Sequence, residues 1–308
     1  MTTIVAPLEA ISKRFDYVSV AADAEWAWAR AGYGDTMTDP ILITGCSTGM
    51  GRAAVLALLK RGHTVYATAR NPATLSDLAD AGARTLALDV TDDASMRAAV
   101  NAIEESHGAV GTLINNAGYS QAGAVEMVSI ADARRQFETN VFGAARMTQL
   151  VLPAMRAAGK GRIINVSSMG GRMVLPTGGW YHASKYAVEA LSDAVRVEVR
   201  PFGVSVVLIE PGAIKTEWDT TAVGDTATEN GSPYAELDAT NARIFASAYG
   251  SASASAEYAA RTYVRAVRAK RPRHRYLITL GARGAVYLRH FFGSRVWDAG
   301  TSRVWRWR

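Results

Sequence analysis

The chain is predicted to be an α/β protein in which a mostly parallel sheet is covered by helices on both faces. Three observations predict it. Short apolar runs alternate with stretches of helical periodicity, the pattern of parallel strands joined by crossover helices. A glycine-rich turn, Thr44-Gly45-Cys46-Ser47-Thr48-Gly49-Met50-Gly51, separates the first such run from the first helix. Finally, 308 residues that are 49% hydrophobic suffice to bury a large core, as one big domain or two small ones.

Taken in order, 41–44 is a short apolar strand and 51–61 a helix, whose Ala53, Ala54, Leu56, Ala57, Leu58 and Leu59 give a broad apolar face. A strand at 65–68 follows, then an acidic-capped helix near 72–80 and a strand 84–88 that ends at Asp89. A helix 93–106, a strand 112–115, longer helices within 131–157, a strand 162–166, a helix 180–200 and a strand 204–209 continue the alternation. Ligands of such a sheet bind beyond the carboxyl ends of its strands. Two regions stand apart. Residues 1–38 read as an N-terminal extension with a short helix around 23–31, the compact domain starting near Met37. Residues 213–253 contain Trp218, a turn-rich stretch 224–231, Pro233 and much of a small-residue run, 247–256. They read as a mobile substrate lid at the ligand-binding end, ahead of a helix 256–269.

Composition narrows the class. The single cysteine, Cys46, excludes a disulfide framework and a multi-cysteine metal site, and no metal is expected. The first 36 residues lack the pattern of a secretory leader, and no stretch of 18 uncharged apolar residues occurs, so a cytoplasmic location is expected. The formal charge of +6 hides a split, with +12 in residues 261–308 and −6 in the remainder. In that basic segment Tyr276, Tyr287, Phe291, Phe292, Trp297, Trp305 and Trp307 are interleaved with arginines, a composition compatible with packing on the domain, an anionic lipid surface or a partner. Nucleic acid is not expected. Within residues 281–308 the stripe Tyr287, Leu288, Phe291, Phe292 and Trp297 is expected to pack on the lid and close one side of the pocket, arginine stems covering the rim. Weak peripheral membrane contact is secondary in this reading.

The chemistry concentrates at strand ends. Gly45, Gly49 and Gly51 lie between a strand and a helix, where glycine lets backbone amides and the positive helix end approach a pyrophosphate. At the end of the second strand, where a carboxylate would accept the ribose hydroxyls of NAD, stand Ala69 and Arg70. A guanidinium there suits a 2′-phosphate, so NADP(H) is favoured over NAD(H), against the alternative of an ordinary exposed arginine. Asp89 is placed to accept from an adenine amine or to cap a helix. Asn115-Asn116-Ala117-Gly118 forms a tight turn after the fourth strand. Asn140 sits inside a helix, where asparagine is disfavoured; an inward-facing amide there would hold a backbone irregularity or a water. Tyr181 and Lys185 share one helical face, with Ser168 upstream at a strand end.

With these motifs in place, residues 39–280 resemble the short-chain dehydrogenase/reductase family. The resemblance rests on the TGCSTGMG turn at 44–51, the NNAG turn at 115–118, Asn140, the run ending at Ser168, the YHASK motif 181–185, and Pro211-Gly212 with Thr216. It implies a single doubly wound Rossmann-type domain with a seven-stranded, mostly parallel sheet, and a homo-oligomer. It also implies Ser168, Tyr181, Lys185 and Asn140 as the catalytic set. The cofactor is expected against Gly45, Ser47, Gly49, Met50, Gly51, Arg70, Asp89, Val90, Asn116, Ala117, Gly118, Tyr181, Lys185, Pro211, Gly212, Ile214 and Thr216. The Ala-Thr-Ala-Arg stretch at 67–70 and Arg-Pro-x-x-Arg-Tyr at 271–276 look like the branch acting on steroids, retinoids and similar hydrophobic alcohols and ketones. Met169, Met173, Trp180 and Trp218 head the candidate pocket, which Val174, Leu175, Tyr234 and Phe245 extend, pointing to a bulky hydrophobic ketone or secondary alcohol. The competing class is a protein that keeps the fold as a catalytically silent dinucleotide-binding or membrane-peripheral scaffold.

In the expected reaction Tyr181 is the acid/base, Lys185 and an oxidised nicotinamide lower its pKa, and Asn140 keeps a water from which Lys185 relays protons. A cation about 4 Å away at an effective dielectric of about 20 contributes up to roughly 4 kcal/mol, enough to move a phenol toward neutrality.

Overall fold

The computed structural model describes residues 39–215, 232–250 and 253–305. Residues 1–38 and much of the expected lid, with Thr216 and Trp218, lie outside the described residues. The chain runs β1 (Ile41–Ile43), α1 (Gly49–Leu59), β2 (Val65–Ala69), α2 (Ser76–Asp80), β3 (Arg84–Ala87), α3 (Asp93–His107), β4 (Thr112–Asn115) and α4 (Ile130–Phe137). It continues through α5 (Ala144–Ala157), β5 (Gly161–Val166), α6 (Gly179–Val199), β6 (Val204–Glu210) and β7 (Ile214–Lys215). The described remainder is α7 (Ala235–Gly250), β8 (Ala254–Ser255), α8 (Ala256–Arg268), β9 (Arg275–Leu277) and α9 (Leu280–Trp305).

Seven strands form one sheet in the order β3-β2-β1-β4-β5-β6-β9, every neighbouring pair parallel. The central strands β1, β4 and β5 are buried at every residue, because helices cover both faces, and this is why they read as continuous rather than alternating apolar runs. On one face α1 and α8 supply Val55, Leu58, Tyr263 and Val267 to the core. On the other, α3 and α5 supply Met96, Val100, Ile103, Met147, Val151 and Met155. The chain winds outward from β1 to β3, then returns to build β4, β5, β6 and β9 on the other side, while β7 and β8 pair apart from this sheet. The strand order therefore reverses between β1 and β4, and the crevice at their carboxyl ends is where this architecture takes ligands.

The seventh strand is absent from the apolar pattern. Arg275–Leu277 is a three-residue strand in a basic stretch, held by its pairing with Leu208–Glu210. Its neighbourhood includes a fully buried guanidinium. Arg162 of β5 donates to the carbonyls of Ala266 (2.7 Å), Val267 and Ala269 (2.8 Å) at the end of α8. The negative end of that helix thus stands in for a carboxylate. Arg162→Ala would leave those carbonyls buried without their donor. It is expected to destabilise the fold by about 3 kcal/mol, read as a lowered midpoint in denaturant with an unchanged slope.

The C-terminal stripe is oriented differently from the expectation. In α9 the buried positions are Ala282, Val286, Trp297 and Trp305, while Tyr287, Leu288, Phe291 and Phe292 are exposed. The small Ala282 and Val286 let the helix approach the protein, which turns the bulky residues of the same helix outward. Of the stripe only Trp297 is buried, and its indole donates at 2.8 Å to the Val174 carbonyl, which lies outside the lid. The helix is interrupted at Gly293, whose φ of 73° no helical residue adopts. Among the described residues no helix is long and apolar enough to cross a membrane.

Candidate active site

The glycine-rich turn is locked against the turn that follows β4. Gly45 has a φ of 70°, and a Cβ on it would lie 2.8 Å from the Ala117 Cα. A Cβ on Gly51 would lie 2.4 Å from the Gly45 carbonyl and 2.5 Å from Asn116 Nδ2. Asn116 Nδ2 donates to the carbonyls of Thr44 and Gly45, both at 2.9 Å, and its Oδ1 accepts from the Tyr263 hydroxyl at 2.9 Å. Thr44 Oγ1 accepts from the amides of Asn116 and Ala117 at 3.0 Å each. Burial pushes the Tyr263 phenol far up, so it stays a donor. Sequence reasoning did not single out Thr44 or Tyr263, because neither carries a local signal that it reaches Asn116.

This turn suits an anion. Thr48 at the start of α1 makes no side-chain cap, and the first turn holds no acid, so its amides and the positive helix end remain available for a pyrophosphate. Gly45, Ser47, Gly49 and Met50 line a cavity of about 1340 Å³, as do Arg70, Asp89, Val90, Asn116, Ala117, Gly118, Pro211, Gly212 and Ile214. Gly51 is not in the lining; it lies behind the turn, where only a hydrogen fits. Ala69 is buried and Arg70 exposed at the end of β2. The other guanidinium of this region, Arg52, is paired with Asp77 and the Ser47 carbonyl. Asp89 Oδ1 accepts from the Thr91 amide (2.9 Å) and hydroxyl (2.8 Å), while Asp92 caps α3. The helix-capping alternative for Asp89 therefore belongs to its neighbour.

Ser168, Tyr181 and Lys185 converge on the same cavity. Ser168, just past β5, accepts from the Gly170 amide at 3.0 Å and is hydrogen-bonded to the Tyr181 phenol. Lys185 Nζ donates to the Val166 carbonyl at 2.9 Å and lies 5.9 Å from the Tyr181 ring centre. Asn140 is outside the lining, inside a π-helical turn at Glu138–Gly143 that interrupts the run from α4 to α5. Its Nδ2 donates to the Tyr119 carbonyl (2.8 Å) and Ser184 Oγ (3.1 Å), and its Oδ1 accepts from the Tyr119 amide (3.0 Å). The backbone irregularity expected at a mid-helix asparagine is thus present as this π-helical turn.

Burial dominates the electrostatics of Tyr181 and Lys185. Burial pushes the Tyr181 phenol up to about 12, with the Ser168 bond pulling the other way. Burial likewise lowers Lys185 to about 8, with Glu189 one helical turn away opposing it. Desolvation disfavours both charged forms. It outweighs a lysine whose ammonium is directed to a carbonyl rather than to the phenol oxygen.

Two supporting groups were missed from sequence. His182 accepts from the Leu175 amide through Nε2 at 3.1 Å, which leaves Nδ1 to donate to the Gly170 carbonyl at 3.0 Å. Burial lowers its pKa and favours this neutral form. The ring thus ties together the 170–175 wall of the cavity. Behind Lys185, Arg275 Nε reaches Glu189 Oε2 (3.0 Å) and Glu210 Oε1 (3.2 Å), and Arg172 reaches the same Glu210 oxygen at 3.3 Å. Burial, then Glu189, raises Glu210 to about 7.

On the substrate side, Met169, Met173, Leu175 and Pro176 line one wall and Ile244 and Phe245 of α7 another, with Arg135, Glu138, Asp238 and Asn241 adding polar groups. Trp180 is not in the lining, a correction to the expectation. Its indole donates to the Val125 carbonyl at 3.4 Å and packs edge-on against Phe137. Val174 and Tyr234 are also absent from the lining. Val174 is exposed, and the Tyr234 hydroxyl donates to Glu126 at 2.6 Å.

The chain is similar to known proteins in sequence and in fold. The family described as short chain dehydrogenase matches residues 39–226. A 3-ketodihydrosphingosine reductase of Bacteroides thetaiotaomicron is 44% identical over 176 residues, 57% of this chain and 64% of that reductase. An NADPH-dependent 3-dehydrocapnine reductase of Ornithobacterium rhinotracheale is 36% identical over 206 residues, 64% of this chain and 71% of that protein. Among solved structures, a short-chain dehydrogenase from Streptomyces avermitilis has a TM-score of 0.74 at 33% identity, covering 87% of this chain and 98% of its own. One from Burkholderia phymatum in complex with NAD has a TM-score of 0.71 at 26% identity, covering 83% and 94%. One from Burkholderia cenocepacia in complex with NADP has a TM-score of 0.67 at 25% identity, covering 88% and 98%. The chain belongs to the short-chain dehydrogenase family of NAD(P)-dependent oxidoreductases.

Proposed function

We propose that the protein reduces a bulky hydrophobic ketone to the secondary alcohol with NADPH, Tyr181 acting as the acid. The observation that carries this reading is the convergence of Ser168, Tyr181 and Lys185 on the cavity that also holds the anion-binding turn. Held by the glycine-rich turn and the cavity wall, a bound dinucleotide would supply the hydride. A phenol pushed by desolvation up to about 12 is protonated at neutral pH, the state needed to donate to an oxygen that gains charge as its carbon is reduced. Ser168 holds that oxygen at the phenol. Lys185, at about 8, is close enough to neutrality to return the proton. The reverse reaction would need Tyr181 ionised, which burial opposes. Asn140 supports the site at one remove, fixing the Tyr119 backbone beside it.

The names of the ketodihydrosphingosine and dehydrocapnine reductases support a ketone substrate, and neither names a steroid or retinoid. Substrate class is therefore assigned from the apolar walls, with the polar groups of α4 and α7 receiving the polar end of an amphiphile. Loss of ketone-dependent NADPH oxidation across a panel of such compounds would reject the assignment.

Preference for NADP(H) rests on Arg70 at the cavity edge beside an alanine that offers no carboxylate. A charge-assisted contact to the 2′-phosphate contributes about 1.5–3 kcal/mol. Arg70→Ala is expected to weaken NADPH roughly tenfold or more and leave NADH nearly unchanged. Dissociation constants from nicotinamide fluorescence decide it, and wild-type protein that binds NADH as tightly as NADPH contradicts the preference.

A further inference from the structure

The outward face of α9 is an aromatic ridge that the protein's own described residues leave uncovered. Leu280 and Phe291 are 82% and 74% exposed, and Tyr287, Leu288 and Phe292 more than 45%. Tyr287 and Phe291 stack with ring centres 6.3 Å apart, and His290 meets Phe291 edge-on at 5.1 Å, so the rings form one contiguous surface. Adjacent apolar exposure of this kind marks an interaction surface.

We propose that this ridge docks the protein on an anionic lipid surface. The charge around it selects that occupant. Arg283 and Arg295 are exposed on α9, with Lys270, Arg271 and Arg273 exposed on the preceding segment, and Asp298 is the single acid in residues 261–308. A second copy meeting this face about a two-fold axis would bring arginine against arginine, which is repulsive. A sheet of lipid phosphates attracts the same arginines while the acyl boundary takes the aromatic rings. The helix would lie along the surface, since no described helix can cross a membrane.

The docking helix is also fixed to the catalytic cavity. Past the interruption at Gly293, the segment that continues it buries Trp297, whose indole bonds the Val174 carbonyl, between Met173 and Leu175, which line the cavity. Docking would therefore place this wall of the pocket close to the bilayer, the source of an amphiphilic ketone. That link to substrate rests on the ketone-reductase reading, whereas the docking does not.

Co-sedimentation of the full chain with phosphatidylglycerol-containing and pure phosphatidylcholine vesicles tests it without any turnover. The expected result is binding to the anionic vesicles at low salt, weakened severalfold by high salt. The Phe291→Asp/Phe292→Asp variant should lose at least about tenfold in binding, with unchanged thermal stability and unchanged reduction of a small soluble ketone. Arg283→Gln/Arg295→Gln should weaken binding to anionic vesicles alone. Failure to bind anionic vesicles at low salt overturns the proposal. So does binding that survives both variants, or light scattering that shows a dimer which Phe291→Asp/Phe292→Asp converts to a monomer.

Discussion

Tyr181→Phe is expected to cut ketone turnover by at least about a hundredfold, the range for lost general acid catalysis, while fold and dinucleotide affinity stay near wild type. The substitution removes one oxygen from a half-buried ring at the cavity wall and leaves its packing intact. Ser168 and the Gly170 amide keep their bond, so the wall beside the phenol should persist. Steady-state rates with a working ketone, together with an NADPH titration, read both halves. A variant that turns over at near wild-type rate removes Tyr181 from the mechanism. One that no longer binds NADPH would show that the phenol is needed to build the cofactor site.

Lys185→Met is expected to lower turnover by a similar order and to change the pH profile in a defined way. Burial brings Lys185 to about 8, below its ordinary range, so its charged form is lost as pH rises through that value. If the cation returns the proton to Tyr181, wild-type kcat/KM falls on the alkaline side near there, because that ratio reports groups of the free enzyme. The methionine variant has no such group, and its residual activity should lack that limb. A lysine that acted only by holding the ribose and lowering the phenol pKa would instead leave a limb in the methionine variant, displaced upward, and a weakened cofactor. The observed bond to Val166 favours disappearance of the limb over its displacement. A wild-type profile without an alkaline fall, or a variant that retains it, rejects the relay.

The local parts of this site were legible in the sequence, and the long-range ones were not. Tyr181 and Lys185 declare themselves by a four-residue helical spacing, Ser168 by following a strand, and the glycines of 45–51 by joining strand to helix. Each signal needs only a few neighbouring residues. The Thr44, Asn116 and Tyr263 network joins three separate elements, and no periodicity reveals which hydroxyl reaches which amide. The strand β9 was hidden because three residues beginning with arginine acquire strand character only from pairing with β6. In α9 apolar residues occupy two faces, and periodicity does not say which one faces the protein; the small Ala282 and Val286 decide it through close approach. Trp180 was misplaced for a related reason, since its position beside Tyr181 puts it on a different side of α6. The steroid-like branch rested on two short stretches, 67–70 and 271–276, and the second of these leads into an edge strand and its ion pairs, a structural use that carries no substrate information.

The central claim is that this site transfers a hydride to a carbonyl carbon with Tyr181 completing the proton transfer. The most direct measurement is a single-turnover mixture of the purified protein, NADPH carrying deuterium at nicotinamide C4, and a hydrophobic ketone, with the alcohol examined by mass spectrometry. The account expects one deuterium on the carbinol carbon with wild-type protein and almost none with Tyr181→Phe. Tight NADPH binding with no labelled alcohol across the ketone panel would contradict it and identify the chain as a silent dinucleotide-binding scaffold.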